Sequence, residues 1–204
     1  MHYVENLNEK LFFFHTCAPA EILRLVTTAI PGDRLPSQFL AGLSEPDRTV
    51  CYRASMICWS VSGSKMVPRE MQLKVILADW KGRDTLVAAG TGSGKTLPIA
   101  LCILLDDPSA NLLTITISPL KRLQVTQESD FNGRFGIQTV TVNEDTSDSI
   151  KWWNDNVYDP VLHRRGRARH IIVTVEQLFK SSAGHFSRLG NLIRNNPDLQ
   201  KKII

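Results

Sequence analysis

The chain has 204 residues, of which 43% are hydrophobic and 22% charged, so it can bury a core and is not globally disordered. Its net charge of +4 and pI near 9.0 are compatible with a nucleic acid partner without requiring one. No apolar run reaches the length of a membrane span, so no membrane partner is expected. The four cysteines show neither C-x-x-C pairing nor metal-ligand spacing, which predicts free thiols in a reducing, intracellular compartment.

The first sixty residues are the least informative part of the chain. Apolar periodicity and turn signals favour three helices, at 19–26, 36–43 and 50–61. A polar, glycine-containing break at 60–64 then predicts a domain boundary. We therefore expect a helical amino-terminal extension over 1–63 and a second domain over 64–204.

The glycine-rich stretch at 89–96 is the most informative part of the chain. It reads Ala-Gly-Thr-Gly-Ser-Gly-Lys-Thr. A short apolar run at 84–88 precedes it and is predicted to be a buried strand, while 97–105 is predicted to be a helix. Strand, glycine-rich turn and helix form the context that a phosphate-binding loop requires.

The residue types of this stretch fit the chemistry of a bound triphosphate. Gly90, Gly92 and Gly94 permit positive φ and a close approach of the backbone to phosphate. The helix start adds N–H donors and partial positive charge. Lys95 is expected to reach the β- and γ-phosphates, and the Thr96 hydroxyl to hold Mg²⁺. The alternative is a glycine-rich turn that carries a lysine by chance.

The predicted site thus has two candidate catalytic residues, Lys95 and Thr96, of which Thr96 is also the candidate metal ligand. The full set of candidate loop residues for ATP is Ala89, Gly90, Thr91, Gly92, Ser93, Gly94, Lys95 and Thr96.

Beyond the loop, strands and helices alternate. Strands are predicted at 112–118, 137–142 and 170–175, with helices between and after them, and 201–204 reads as a strand that is just beginning. This alternation predicts an α/β fold with a mainly parallel sheet that helices cover on both faces. Ligands bind such sheets at the carboxyl ends of the strands.

Two features of the carboxyl half have open interpretations. Trp152 and Trp153 are adjacent, so at most one can face a core; the other could stack on a base or pack at the surface. The basic cluster at 163–170 could be a solvated loop, a phosphate contact or a nuclear-import patch.

Several motifs resemble the first RecA-like motor lobe of the DEAD/DEAH-box helicases of superfamily two, and most closely the RecQ-like DNA helicases. The loop at 89–96 matches their A-x-T-G-S-G-K-T pattern. Arg69 and Gln72 have the spacing of their R-x-x-Q adenine motif. The segment from Ser118 is similar to S-P-L-x-x-L-x-x-x-Q, and 174–178 is similar to T-P-E-x-L with valine in place of proline.

The resemblance covers about 66–204 and implies an ATP-binding lobe with Mg²⁺ as cofactor and a nucleic acid, DNA rather than RNA, as partner. It assigns adenine recognition to Arg69 and Gln72. Contact with the nucleic acid strand is assigned to Pro119, Lys121, Arg122 and Glu176. Together with the basic cluster, it suggests a nuclear location.

The D-E-x-H box and the second motor lobe of that family do not occur in this sequence. We therefore expect the domain to be incomplete at its carboxyl end and inactive in hydrolysis by itself, since arginine fingers contribute about 10³–10⁵ in rate. Two other functions stay open: an inactive nucleotide- or nucleic-acid-binding remnant, and a non-motor P-loop NTPase. The second is disfavoured because the sequence has no guanine-reading N-K-x-D and Ala89 replaces the usual first glycine.

Overall fold

The structure is a computed structural model that describes residues 2–90, 92–179, 184 and 186–204. The chain divides into two compact units, Met1–Asp107 and Pro108–Ile204.

The unit Met1–Asp107 is built from helices. In chain order they are α1 (His2–Thr16), α2 (Pro19–Ala29), α3 (Ser37–Ala41), α4 (Glu45–Val61), α5 (Glu70–Trp80) and α6 (Thr96–Leu105), with a 3₁₀ turn at Gly32–Arg34. The three helices predicted between residues 19 and 61 are confirmed, although α4 begins five residues earlier than expected.

Helix α4 is the centre of this unit. Its start is set by Ser44, whose hydroxyl accepts a hydrogen bond from the Asp47 amide, and by a proline in the first turn. Nine of its seventeen residues are buried, and it packs against α1, α2, α5 and α6. A helix buried on so much of its circumference has to be surrounded by other helices.

Helix α1 was not predicted from the sequence. Its buried residues Leu7, Leu11 and Phe14 follow an i, i+4, i+7 spacing, which places them on one face. The His15 Nε2 atom lies 3.0 Å from the carbonyl oxygen of Leu104 in α6, so α1 is also tied to the helix that follows the glycine-rich loop.

The predicted buried strand at 84–88 is wrong. The segment has no regular secondary structure, and Leu86 is 97% exposed. The described part of Met1–Asp107 contains no strand, so 84–88 has no neighbour there to complete its hydrogen bonds. A β-branched apolar run does not become a strand without such a partner.

The unit Pro108–Ile204 contains a parallel sheet of three strands in the order β1 (Thr114–Ile117), β5 (His170–Val173), β2 (Thr139–Val142). The remaining elements are α7 (Lys121–Arg134), α8 (Ile150–Asn156), the short hairpin strands β3 (Tyr158–Asp159) and β4 (Arg164–Arg165), α9 (Arg188–Asn195) and α10 (Pro197–Gln200). The predicted α/β class with a parallel sheet is confirmed.

The central strand β5 is buried at all four of its residues, so both of its faces are covered. On one face Ile171 and Val173 belong to a core with Trp153 and Leu189, from α8 and α9. On the other face the His170 ring meets Phe131 of α7, with ring centroids 4.4 Å apart. Helices therefore cover both sides of the sheet.

Two predicted elements near the carboxyl end form only in part. The segment after β5 is a 3₁₀ turn at Val175–Gln177 instead of the start of an α-helix. The predicted strand at 201–204 makes a single parallel bridge between Ile203 and Leu113. None of the described helices is long and apolar enough to cross a bilayer.

Candidate nucleotide and nucleic-acid sites

The glycine-rich loop curls so that the side chain of Lys95 lies against its own backbone. The Lys95 ammonium donates to the carbonyl oxygens of Ala89 and Gly90, at 2.8 Å each. Gly92 and Gly94 have φ values of +78° and +76°, a region that L-residues with side chains rarely adopt. Thr91 lies outside the described residues. Glycine thus occupies two positions of the loop where the backbone conformation favours it.

Helix α6 starts directly after the loop. Thr96 is its first residue, and the Leu97 amide donates to the carbonyl oxygen of Gly94. Seven of the ten residues of α6 are buried, among them Pro98 in the first turn, where a missing N–H costs little. The loop is therefore held at the amino end of a buried helix, where N–H groups and the helix dipole favour an anion.

Gln72 connects this loop to helix α5. Its Oε1 atom accepts from the Arg69 amide at 2.8 Å, and its Nε2 atom donates to the carbonyl oxygens of Gly94 at 3.0 Å and Ser93 at 3.4 Å. Only 4% of Gln72 is exposed. The amide thus satisfies backbone groups at the start of α5 and in the loop at the same time.

This arrangement limits what Gln72 can offer to adenine. Both Nε2 protons face loop carbonyls, so one acceptor lone pair on Oε1 is left for a base. Donation to a base nitrogen would require the release of one loop carbonyl. Arg69, whose side chain is exposed, contributes its backbone N–H to this network. The adenine roles of Arg69 and Gln72 stay predictions.

The loop fits a triphosphate in two respects. A Cβ atom on Gly94 would come within 2.7 Å of Gln72 Nε2, so only glycine leaves this cradle open. In addition, the Ser93 hydroxyl is buried and has no hydrogen-bond partner in the described part of the chain. An acceptor oxygen that entered the loop would find donors there.

A preformed metal site made of side chains is not seen. The described residues contain no group of three or more histidine, cysteine, aspartate or glutamate side chains arranged to hold a metal. Thr96, which is half-buried, stays the predicted Mg²⁺ ligand. Magnesium held by few protein groups and by phosphate oxygens needs no such cluster.

The predicted nucleic-acid residues lie beyond the carboxyl ends of two neighbouring strands. Pro119 and Lys121 follow β1, and Glu176 follows β5; the two strands pair in register from Thr114↔His170 to Ile117↔Val173. Pro119, Arg122 and Glu176 are exposed. The structure therefore brings these candidates to one edge of the sheet.

Lys121 is not a free cation at this edge. Its ammonium pairs with the Glu144 carboxylate and, at 2.9 Å, with that of Asp145. These two carboxylates raise the pKa of Lys121. The pKa of Glu176 is lowered by hydrogen bonds from its own backbone amide and from Thr174. A phosphate that approached Lys121 would compete with two carboxylates.

The residue that braces this edge, Gln124, was not predicted from the sequence. Gln124 is fully buried, donates to the carbonyl oxygen of Ser118 at 2.7 Å, and accepts from the side-chain Nδ2 of Asn143 at 3.2 Å. It thereby joins the end of β1, helix α7 and the loop after β2. Its position one turn into a predicted helix, six residues after Ser118, was the available signal.

Comparison with protein families now places the chain. The family model described as DEAD/DEAH box helicase matches residues 69–194, a span that contains the glycine-rich loop, Gln72 and the whole three-stranded sheet. The chain belongs to the DEAD/DEAH box helicase family. Searches of curated proteins and of solved structures gave no match.

Family membership supports the general function expected of the site. A DEAD/DEAH domain indicates an ATP-binding motor lobe of a helicase and a nucleic acid as partner.

Proposed function

We propose that the chain is the ATP-binding lobe of a nucleic-acid-dependent helicase of the RecQ-like type, with ATP·Mg²⁺ at the loop 89–96 and a DNA strand at the carboxyl edge of the sheet. The observation that carries the proposal is the loop itself. Two glycines have positive φ, Lys95 lies against the loop carbonyls, and Gln72 holds the loop to α5.

In this proposal, each group has a defined role toward the nucleotide. Loop amides and the start of α6 bind phosphate oxygens, Lys95 leaves the carbonyls of Ala89 and Gly90 to neutralise the terminal phosphates, and Thr96 ligates Mg²⁺. When bound, the metal would neutralise part of the charge of the phosphates. Gln72, with Arg69, selects adenine by its remaining acceptor.

We further propose that the extension at 1–63 is separate in role from the motor domain at 64–204. Helix α4 ends at Val61 and α5 begins at Glu70, so the proposed boundary falls in the connection between them.

Nucleotide binding can be tested with a fluorescent ATP analogue that unlabelled ATP or GTP displaces. We expect ATP to compete better than GTP because Gln72 offers an acceptor to the adenine amine, and we expect Lys95→Ala to weaken binding at least tenfold. Lys65→Ala, which removes an exposed lysine outside the loop, is the matched control. Equal competition by ATP and GTP would contradict adenine selection, and unchanged binding by Lys95→Ala would contradict the site.

The nucleic-acid part needs its own measurement. We expect single-stranded DNA to bind more tightly than RNA of the same sequence, and Arg122→Gln to weaken both. A reversed preference would contradict the assignment to DNA, while the ATP assignment would stand.

A further inference from the structure

A cavity of about 350 Å³ lies at the outer edge of β2, and the function proposed above does not use it. Its walls include Glu128 from α7, Thr141 from β2, Trp152 from α8 and Arg167 from the segment before β5. The volume lies in the range of small-ligand sites. The proposed strand-contact residues Pro119 and Glu176, by contrast, lie beyond the carboxyl ends of β1 and β5.

The two adjacent tryptophans have different environments. Trp153 is 3% exposed, donates from Nε1 to the carbonyl oxygen of Ser147 at 2.8 Å, and has the Arg188 guanidinium over its ring at 5.0 Å. Trp152 is only half-buried and lines the cavity. Its ring meets that of Trp153 edge to face, with centroids 5.4 Å apart. Trp153 thus anchors α8 and orients a second indole at the cavity wall.

The charged groups of the cavity are also held in place. Arg167 donates from Nε to Asn156 Oδ1 at 2.8 Å, and Asn156 donates in turn to the carbonyl oxygen of Trp152 at 2.7 Å. This bond uses one of the five guanidinium donors and leaves the forked end of Arg167 for an anion. On the α7 side, Glu128 supplies a half-buried carboxylate acceptor.

A peptide strand is a poor occupant, although the cavity lies on a sheet edge. The Asn132 side chain accepts from the Thr139 amide and donates to the Thr139 carbonyl oxygen, each at 3.0 Å. The Thr146 hydroxyl donates to the carbonyl oxygen of Thr141 at 3.4 Å. These side chains already occupy backbone groups that an added strand would need.

We propose that this cavity receives an unstacked base from a single nucleic acid strand. Trp152 supplies the stacking surface, Glu128 accepts from an N–H group on the edge of the base, and Arg167 binds the adjacent phosphate. Charge favours this occupant, since the segment 158–170 contains four arginines and one aspartate. The net charge of this segment is therefore +3, compared with +4 for the whole chain. The inference rests on the proposed nucleic acid partner and adds a second contact to it.

The test compares two probes that differ only in their bases. One is an oligothymidylate of about twelve nucleotides, and the other is an abasic oligonucleotide of the same length and charge. With the full chain, we expect Trp152→Leu to weaken binding of the oligothymidylate about tenfold, because the variant removes the surface on which a base stacks. Binding of the abasic probe should be unchanged. Trp152→Phe keeps a stacking ring and should retain most of the affinity.

Two variants serve as controls. Trp80→Leu removes another partly exposed tryptophan, which lies at the end of α5, and should change neither affinity. Arg167→Gln should weaken both probes, because both carry phosphates, and should do so more than Arg164→Gln, a neighbouring arginine that does not line the cavity. Equal effects of the two arginine variants would indicate diffuse charge and overturn the assignment of Arg167.

The outcomes separate this inference from the proposed function. If Trp152→Leu binds the oligothymidylate like the wild type while Arg122→Gln weakens it, the cavity is not a base site and the proposed function stands. If Trp152→Leu weakens both probes equally, its effect is structural and the inference is overturned. If the wild type binds no single-stranded DNA or RNA, the inference and the nucleic-acid part of the proposed function fail together.

Discussion

Among single residues, Gly94 has the most restricted backbone and surroundings in the nucleotide site. Its φ of +76° disfavours any side chain, and a Cβ atom would come within 2.7 Å of Gln72 Nε2. We expect Gly94→Ala to lower the free energy of unfolding by about 1–3 kcal/mol, because strain and the loss of a Gln72 contact add. Urea denaturation followed by circular dichroism measures this change.

Gly90 provides the matched control in the same loop. It has no positive φ, and a Cβ atom there would meet nothing within 4 Å. Gly90→Ala should therefore change the unfolding free energy by less than about 0.5 kcal/mol. Equal destabilisation by the two variants would contradict the special constraint at Gly94, which combines a positive φ with a close approach to Gln72.

His170 should make stability depend on pH. It is fully buried on β5, with Thr116 Oγ1 2.8 Å from Nε2 and Thr139 Oγ1 3.3 Å from Nδ1. Burial lowers its pKa from 6.5 to about 4. Because the folded-state pKa is the lower one, the unfolded state binds the proton first as the pH falls. The stabilisation is complete above pH 6.5 and decreases by about 3 kcal/mol by pH 4.

The measurement is the unfolding free energy between pH 7 and pH 4.5. We expect the steep decrease to become shallower in His170→Gln, while His163→Gln, an exposed histidine in the β3–β4 hairpin, keeps it. The same slope in His170→Gln and the wild type would show that the burial of His170 does not cause the pH dependence.

At the scale of whole elements, local sequence signals were sufficient to predict helices but not every strand. Helices α2 and α6 were predicted because apolar periodicity, prolines in the first turn and flanking turn residues are local information. The strand at 84–88 was predicted wrongly because a strand also needs a partner, which its own residues do not specify. The strand at β1 and the helix after it were predicted, but the bracing role of Gln124 was not, because its position in that helix does not by itself specify contacts with Ser118 and Asn143.

The start of α7 leads to a prediction about nucleic acid binding. Glu144 and Asp145 both pair with Lys121, so Glu144→Gln with Asp145→Asn frees one cation. This cation lies beyond the carboxyl end of β1, where the nucleic acid strand is proposed to bind. We expect the double variant to bind single-stranded DNA about three- to tenfold more tightly at low salt. The slope of log K against log salt concentration should become steeper by the amount that corresponds to about one additional phosphate contact.

The reason for the gain can be checked by a double-mutant cycle. Adding Lys121→Ala to the double variant should remove the increase, whereas Asp148→Asn with Asp155→Asn, which neutralises two other exposed carboxylates, should give a smaller one. An equal increase from both pairs of substitutions would assign the gain to net charge instead of Lys121.

At the scale of the whole molecule, the division into two units predicts which amides bound nucleotide protects from hydrogen exchange. The loop, Gln72, α5 and α6 all belong to Met1–Asp107, whereas the strand-contact candidates belong to Pro108–Ile204. A ligand that binds only the folded state stabilises it by about 2.7 kcal/mol at a hundredfold excess over Kd. Since every proposed nucleotide contact comes from Met1–Asp107, that stabilisation should appear first in the amides of this unit.

Hydrogen exchange measured with and without ATP·Mg²⁺ tests this expectation. Amides of α6 and of the first turn of α5 should exchange more slowly with nucleotide, and those of β5 should change much less. Lys95→Ala should abolish the difference, because without the ammonium the terminal phosphates lose their counter-charge. Equal protection of β5 and α6 would instead require nucleotide contacts from Pro108–Ile204, and the site would then have to be extended to residues of that unit.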